Sequence, residues 1–191
     1  RNDPTSDVPP PPPPSVGAEP MQAVGRVEEV DVEGRRLQLR IDGTKLDFYQ
    51  DRSVTYEVQL GPAGTATASL HADLWNDSPT SGYPPYVIGP YKSYSTQAGE
   101  NVAVVDLYCA RGCVLQDGTR NGEPVELERY QSDGYPYFED YVRTPSGDTA
   151  TIEAQLLLSN AWIGSDTGGA YRLSFVGQST IRPTRVHVVI H

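Results

Sequence analysis

The densest carboxylate pair with aromatic neighbours is Glu139-Asp140 beside Tyr141, and acid–base chemistry is the first thing such a pair offers. A glycosidase needs two carboxylates facing each other across a sugar at roughly 5 to 10 Å. Adjacent strand residues point to opposite faces. On a regular strand Glu139 and Asp140 therefore cannot share a cleft, and they read as solvated charges. Ser, His and Asp all occur, but no Gly-x-Ser-x-Gly elbow does. His187 and His191 stand four apart on one face of a terminal strand, where they hold a cation only with a third donor from elsewhere. Gly168-Gly169 is a turn rather than a phosphate cradle, because no helix follows it. The sequence predicts no catalytic residue, no metal site and no cofactor.

Tyrosine carries the positive signal. Tyr83, Tyr86, Tyr91 and Tyr94 fall in one loop, and Tyr130, Tyr135 and Tyr137 in or beside another. Exposed aromatic rings stack on sugar faces or anchor a protein interface at little entropic cost. Packing over the ends of a fold is the plainer use of the same rings. Tyr83, Tyr86, Tyr91, Tyr94, Tyr135 and Tyr137 are the candidate binding residues, with Asp133 or Asn121 to supply hydrogen bonds. Trp75 and Trp162 read as core or rim residues.

The two cysteines, Cys109 and Cys113, stand four apart with Gly112 between them to permit a sharp turn. A disulfide closing a small loop between two strands fits this spacing, and it would imply export. Two buried or loop thiols are the alternative. A metal pair is a third, although zinc wants four ligands and His71, His187 and His191 show no pairing with the cysteines.

These residues have to be positioned by a chain of 191 residues, of which 37% are hydrophobic, with 18 Gly and 17 Pro. That composition suits many short strands joined by turns. A net charge of −10, with 15 Lys and Arg, argues against nucleic acid, whose phosphates need clustered cations. It also argues against docking on anionic lipid. No stretch approaches the roughly 20 apolar residues of a membrane span, so direct insertion by this segment is not expected. A chain opening on Arg1 reads as processed or excised.

Residues 1–22 form a Pro-rich arm with six consecutive prolines, Pro9 to Pro14. It reads as a polyproline II spacer of roughly 3 Å per residue, as a tether, or as an arm that docks on a partner. Residues 23–191 form the folded domain. Val24 to Val32 alternates apolar with polar, and Glu33-Gly34 turns it into Leu37-Gln38-Leu39-Arg40-Ile41, a hairpin pattern. Asp42-Gly43 is a further turn signal. Val54, Tyr56, Val58 and Leu60 share one strand face. After Gly61-Pro62-Ala63-Gly64, a strand places Ala66, Ala68, Leu70, Ala72 and Leu74 inward and Thr67, Ser69, His71 and Asp73 toward water.

Residues 78–99 make a long Pro, Gly, Ser and Tyr loop. Strands are expected at 101–109, 113–116, 125–128, 137–144, 149–158, 170–176 and 186–190, with turns at Asp117-Gly118, Asn121-Gly122, 132–136 and 145–148. In the 149–158 strand, Ile152, Ala154, Leu156 and Leu158 share a face and Leu157 opposes them. Ten or so short strands with no helical period predict an all-β, antiparallel β-sandwich, immunoglobulin-like or jelly-roll-like, behind an N-terminal polyproline arm.

Lys45 to Ile190 also resembles the C-terminal β-rich region of an actinobacterial family, domain of unknown function 4012. The likeness is carried by Lys45-Leu46-Asp47-Phe48-Tyr49 with Arg52 and Tyr56-Glu57-Val58, and by Asn76-Asp77-Ser78-Pro79-Thr80-Ser81-Gly82 with Tyr86-Val87-Ile88-Gly89-Pro90. Gly99-Glu100-Asn101, Asn121-Gly122-Glu123-Pro124-Val125, Tyr141 to Gly147, Tyr171-Arg172-Leu173 and Pro183 complete it. The resemblance implies a membrane-anchored protein of the cell envelope and supplies no catalytic residue. The arm and first hairpin have no counterpart in it.

The expected role is a non-catalytic extracellular module of the cell surface, for interaction or structural support, with envelope polysaccharide as ligand. The alternatives are a self-assembling surface subunit, pairing with other copies through the arm or an edge strand, and a carbohydrate-active enzyme.

Overall fold

The computed structural model describes residues 36–43, 45–92, 95–165, 168–175 and 180–191, with backbone alone at 36–43, 164, 165 and 168. The Pro-rich arm and the first half of the expected hairpin, Val24 to Val32, lie outside the described residues.

Thirteen strands are described: β1 Arg36–Gly43, β2 Gln50–Leu60, β3 Ala66–Asn76, β4 Asn101–Tyr108, β5 Val114–Arg120, β6 Glu123–Pro124, β7 Glu128–Ser132, β8 Tyr135–Thr144, β9 Thr149–Leu158, β10 Trp162–Ser165, β11 Gly168–Tyr171, β12 Ser174–Phe175 and β13 Arg185–Ile190. They build a five-stranded sheet ordered β12-β1-β4-β8-β7 and a six-stranded sheet ordered β13-β2-β3-β9-β5-β6, with β10 and β11 as a separate pair. This is an all-β sandwich. Its pairings are antiparallel except at two edges, where β13 runs parallel to β2 and β12 parallel to β1.

The period of two decides the core. On β3, Ala66, Ala68, Leu70, Ala72 and Leu74 are buried, and on β9 Ala150, Ile152, Ala154, Leu156 and Leu158 face the same way while Leu157 looks out. Ala103, Val105 and Leu107 of β4 and Phe138 and Val142 of β8 come from the other sheet into the same cluster. Burying such side chains contributes about 1.5–3 kcal/mol each for the larger ones.

Several local expectations change. Asp117-Gly118 is no turn: β5 continues through it and absorbs one extra residue as a bulge between Leu115 and Asp117. Residues 125–127 connect strands, and the strand itself is β7, the partner of β8. The 170–176 stretch divides into β11 and β12. The long loop contains one helical turn, α1 Pro85–Ile88. Asn121-Gly122 and Asp133-Gly134 do turn hairpins, with positive φ at both residues of each pair (54° and 81°, 52° and 79°), the requirement of a type I′ turn.

One end of the sandwich is tied by a single amide. Asn76, 0% exposed at the end of β3, donates from Nδ2 to the carbonyls of Gly99 (2.7 Å) and Thr144 (2.8 Å). Its Oδ1 accepts the Ser78 N–H at 3.1 Å. Its backbone exchanges bonds with the β8–β9 turn, donating to Asp148 O (2.9 Å) and accepting from Gly147 N–H (2.7 Å). Gly99 is glycine for a visible reason: its φ is +79°, and a Cβ there would lie 2.9 Å from Pro79 O. Over this knot the loop folds a second small core of Leu46, Tyr49 and Ile88.

At the opposite end of β4, the Cys109–Cys113 disulfide (Cα–Cα 6.0 Å) closes the crossing from one sheet to the other. Between the ends, Arg120 of β5 reaches across to Asp140 of β8, with Nη1 at 2.8 and 3.0 Å from the two carboxylate oxygens. Burial still holds the Asp140 carboxyl above the usual carboxylate range, against the opposing pull of Arg120.

Asn76→Ala is expected to lower unfolding free energy by about 2–4 kcal/mol, because it takes this partner from the Thr144 carbonyl and the Ser78 N–H and leaves Gly99 O with the Ser78 hydroxyl alone. Urea unfolding of the variant beside the wild type measures it, and a loss below about 1 kcal/mol would show the knot to be dispensable.

Candidate functional site

The outer face of the five-stranded sheet collects the aromatic side chains. Tyr135, Tyr137, Glu139, Tyr141 and Arg143 alternate with the buried positions Pro136, Phe138, Asp140, Val142 and Thr144 on β8. At about 3.3 Å per residue this column runs for roughly 26 Å. Register sets its neighbours. Tyr137 lies opposite Tyr108 of β4 and Tyr130 of β7, and Glu139 lies opposite Asp106 and Glu128.

The three tyrosines stack across the strands. Tyr108 and Tyr137 have ring centroids 4.8 Å apart at 23°, and Tyr130 and Tyr137 5.3 Å apart at 22°. Each such pair adds about 0.5–1.5 kcal/mol beyond burial. Because the rings face one another, the stack offers its edges and the outer ring face of Tyr130 at the sheet margin. Tyr130 is 40% exposed and Tyr141 59%. Beyond the stack, the Arg111 guanidinium sits 5.0 Å from the Tyr135 ring centre. A groove of about 320 Å³ beside them is lined by Gly112, Arg129, Tyr130, Gln131, Gly134 and Pro136.

The predicted residues divide. Tyr135 and Tyr137 belong to this face as residues of β8, which begins two residues earlier than the expected strand and so takes Tyr135 out of the turn, and Tyr130 joins them from β7. Tyr83 and Tyr91 instead pack on the second small core, where the Tyr91 hydroxyl donates to Val87 O and Tyr83 meets Tyr49 edge-on at 6.5 Å. Tyr86 projects from α1, 66% exposed, with Lys45 Nζ 5.4 Å from its ring centre. Tyr94 lies outside the described residues. Asp133 occupies the β7–β8 turn, and the Asn121 Oδ1 accepts the Thr151 N–H at 2.8 Å. Asn121 is therefore committed to joining β5 and β9.

Glu139 and Asp140 do look to opposite faces. His187 is exposed on β13, while His191 Nε2 lies 2.7 Å from Glu57 Oε1. Among the described residues, no group of three or more His, Cys, Asp or Glu is placed to hold a metal ion. No helix among them is long and apolar enough to cross a membrane. Trp162 is a rim residue whose Nε1–H donates to Gly61 O (2.9 Å) and Thr65 O (3.1 Å). Trp75 is neither core nor rim: it stands on the outer face of β3, 49% exposed.

Sequence reading missed Tyr108 and Tyr141 as partners of the face. Their i, i+2 alternation was visible, but cross-strand neighbours are fixed by register, which one chain read alone does not display.

No protein family model matches the chain, and no curated protein matches it. Among solved structures, the chain is similar to a "putative nutrient binding protein" of Legionella pneumophila, with a TM-score of 0.41 and 10% identity. The likeness covers 65% of this chain and 43% of that one, so this chain spans less than half of that protein's length.

The Tyr130 hydroxyl donates to Glu128 Oε2 at 2.5 Å, and this bond together with the carboxylate charge pushes its pKa up to about 12. The folded chain thus keeps a proton that an unfolded tyrosine gives up near 10, and stability is lost as pH rises from about 10 toward 12. Tyrosine ring-carbon NMR at pH 11 should find Tyr130 protonated in the wild type and largely ionised in Glu128→Gln.

Proposed function

We propose that this chain is a non-catalytic extracellular module that binds a neutral envelope polysaccharide along the tyrosine face of β4, β8 and β7. The observation that carries this reading is the stacked row Tyr108-Tyr137-Tyr130 with the carboxylates of Glu128 and Glu139 in the next row. Ring edges, phenol hydroxyls and carboxylates over a rigid sheet suit the CH faces and hydroxyls of a sugar chain. The length of the column favours several sugar residues over one. The extracellular setting draws on two things. A disulfide persists in oxidising compartments, and Lys45 to Ile190 resembles envelope proteins of the domain of unknown function 4012 family.

The Arg120–Asp140 pairing weighs against hydrolysis, since it removes Asp140 from any cleft with Glu139. Tyr130→Ala with Tyr137→Ala is expected to weaken retention on insoluble envelope polysaccharide by about tenfold or more, through loss of the open Tyr130 ring face and of the ring edges and hydroxyls of both residues. A pull-down with cell-wall polysaccharide measures it, with Tyr86→Ala as the variant expected to bind normally. Equal retention of all three proteins would remove the tyrosine face from the reading.

A second reading, pairing of edge strands between copies, draws on β13. Its Val188 and Ile190 share the inward-facing side with Val186, yet are 38% and 50% exposed. An edge strand with exposed apolar residues invites pairing. On this reading light scattering gives a mass that rises with concentration, and Val188→Lys returns it to that of one chain.

A further inference from the structure

The outer face of the six-stranded sheet is mostly polar, with Trp75 as its one large aromatic side chain among the described strand residues and Val114 and Leu157 as an apolar pair farther along. Along one row Asp51 of β2, Trp75 of β3 and Thr149 of β9 lie opposite one another; the next row is Arg185 of β13, Ser53, Asp73 and Thr151. Cross-strand neighbours of this kind stand about 4.5–5.5 Å apart. Trp75 therefore rises half-exposed from a floor of Ser and Thr, with carboxylates and guanidiniums on either side. A cleft of about 240 Å³ lies here, lined by Asp51, Ser53, Asp73, Trp75, Thr149 and Arg185 among others. It is smaller than the roughly 300–1,000 Å³ of drug-sized sites, which leaves room for one ring-sized residue.

The polar groups around it are held in place. Asp73 Oδ1 accepts from Thr151 Oγ1 (2.9 Å) and lies 3.2 Å from His71 Nε2. Its Oδ2 lies 3.4 Å from Ser53 Oγ. His71 is braced in turn by Glu153 at 3.1 Å, which Thr119 bonds at 2.8 Å. Asp51 is bonded to Arg182 at 3.0 Å. A chain of bonds across four strands, β2, β3, β9 and β5, thus fixes the carboxylate beside the indole.

From this geometry we infer a second, separate saccharide site, in which one neutral pyranose residue stacks on the Trp75 indole while its hydroxyls bridge Asp73 and Arg185. Carboxylates only accept and guanidiniums only donate, and a sugar hydroxyl does both. An anionic ligand meets Asp51 and Asp73, a cationic one Arg185 and Arg182, and a purely apolar one leaves the polar groups unpaired. The site extends the recognition reading to another face and stands on its own residues.

The two tryptophans supply the test. In a ¹H–¹⁵N spectrum the intact chain gives two indole signals, and that of Trp162, bonded to Gly61 and Thr65, serves as the internal reference. Millimolar cellohexaose or maltohexaose should shift the Trp75 signal and leave Trp162 in place, while hexagalacturonate should not. Asp73→Asn should raise the apparent Kd by about tenfold. An unmoved Trp75 signal with both neutral probes, or an equal response to the anionic probe, overturns the inference. Polysaccharide retention that depends on Tyr130 and Tyr137 with a silent Trp75 would defeat this site alone. Loss of retention and a silent Trp75 together would defeat both.

Discussion

The side-chain amide of Asn76 is the constraint on which the architecture turns. Both of its polar atoms are buried, and both are occupied by backbone groups: Gly99 at the end of the long loop, where the Ser78 hydroxyl also donates, Thr144 at the end of β8, and the Ser78 N–H where the chain leaves β3. One side chain therefore fixes where three segments come together. Because the ends of residues 78–99 are pinned in this way, the loop closes on itself and packs Ile88 against Leu46 and Tyr49. The same bonds place Thr144 and the β8–β9 turn, which carries the chain from one sheet to the other. The position of β8, and with it the outward column of tyrosines, follows from an amide on another sheet.

Much of this was legible in the sequence and some of it was not, for reasons that differ residue by residue. Alternation is a local property, so the inward faces of β3 and β9 and the opposite senses of Glu139 and Asp140 followed from spacing alone. Hairpins whose turns need positive φ at two residues announced themselves as Asn121-Gly122. Asp117-Gly118 gave the same local signal and meant something else, because a bulge and a turn both use a flexible pair and only the partner strand decides between them. The tyrosines show the limit most clearly. Proximity to Pro and Gly placed Tyr135 in the turn and Tyr137 at the margin of a strand, whereas β7 supplies five residues of pairing that draw both into β8.

The fate of the first tyrosine group has a physical cause of its own. A loop of some twenty residues pinned at both ends must bury something to hold a shape, and its only bulky apolar side chains are Val87, Ile88 and the tyrosines. Tyr83 and Tyr91 are consumed in that task, which leaves Tyr86 outside. Strand residues face no such demand: the core is already filled from the inner faces, so outward tyrosines are free to meet one another.

That freedom separates the two outer faces. On the five-stranded sheet, Tyr108, Tyr137 and Tyr130 spend their ring faces on each other, so what they offer a ligand is a rigid rail of edges and hydroxyls with one open face at the end. On the six-stranded sheet, the cross-strand neighbours of Trp75 are Asp51 and Thr149, so among the described residues no ring of an adjacent strand takes up its indole face. The first arrangement gains affinity from length, through many weak contacts on an extended chain. The second gains it from one face and a few directed hydrogen bonds, and suits a single residue. A β-sandwich can carry both because the period of two isolates each outer face from the core that supports it, and therefore each from the other.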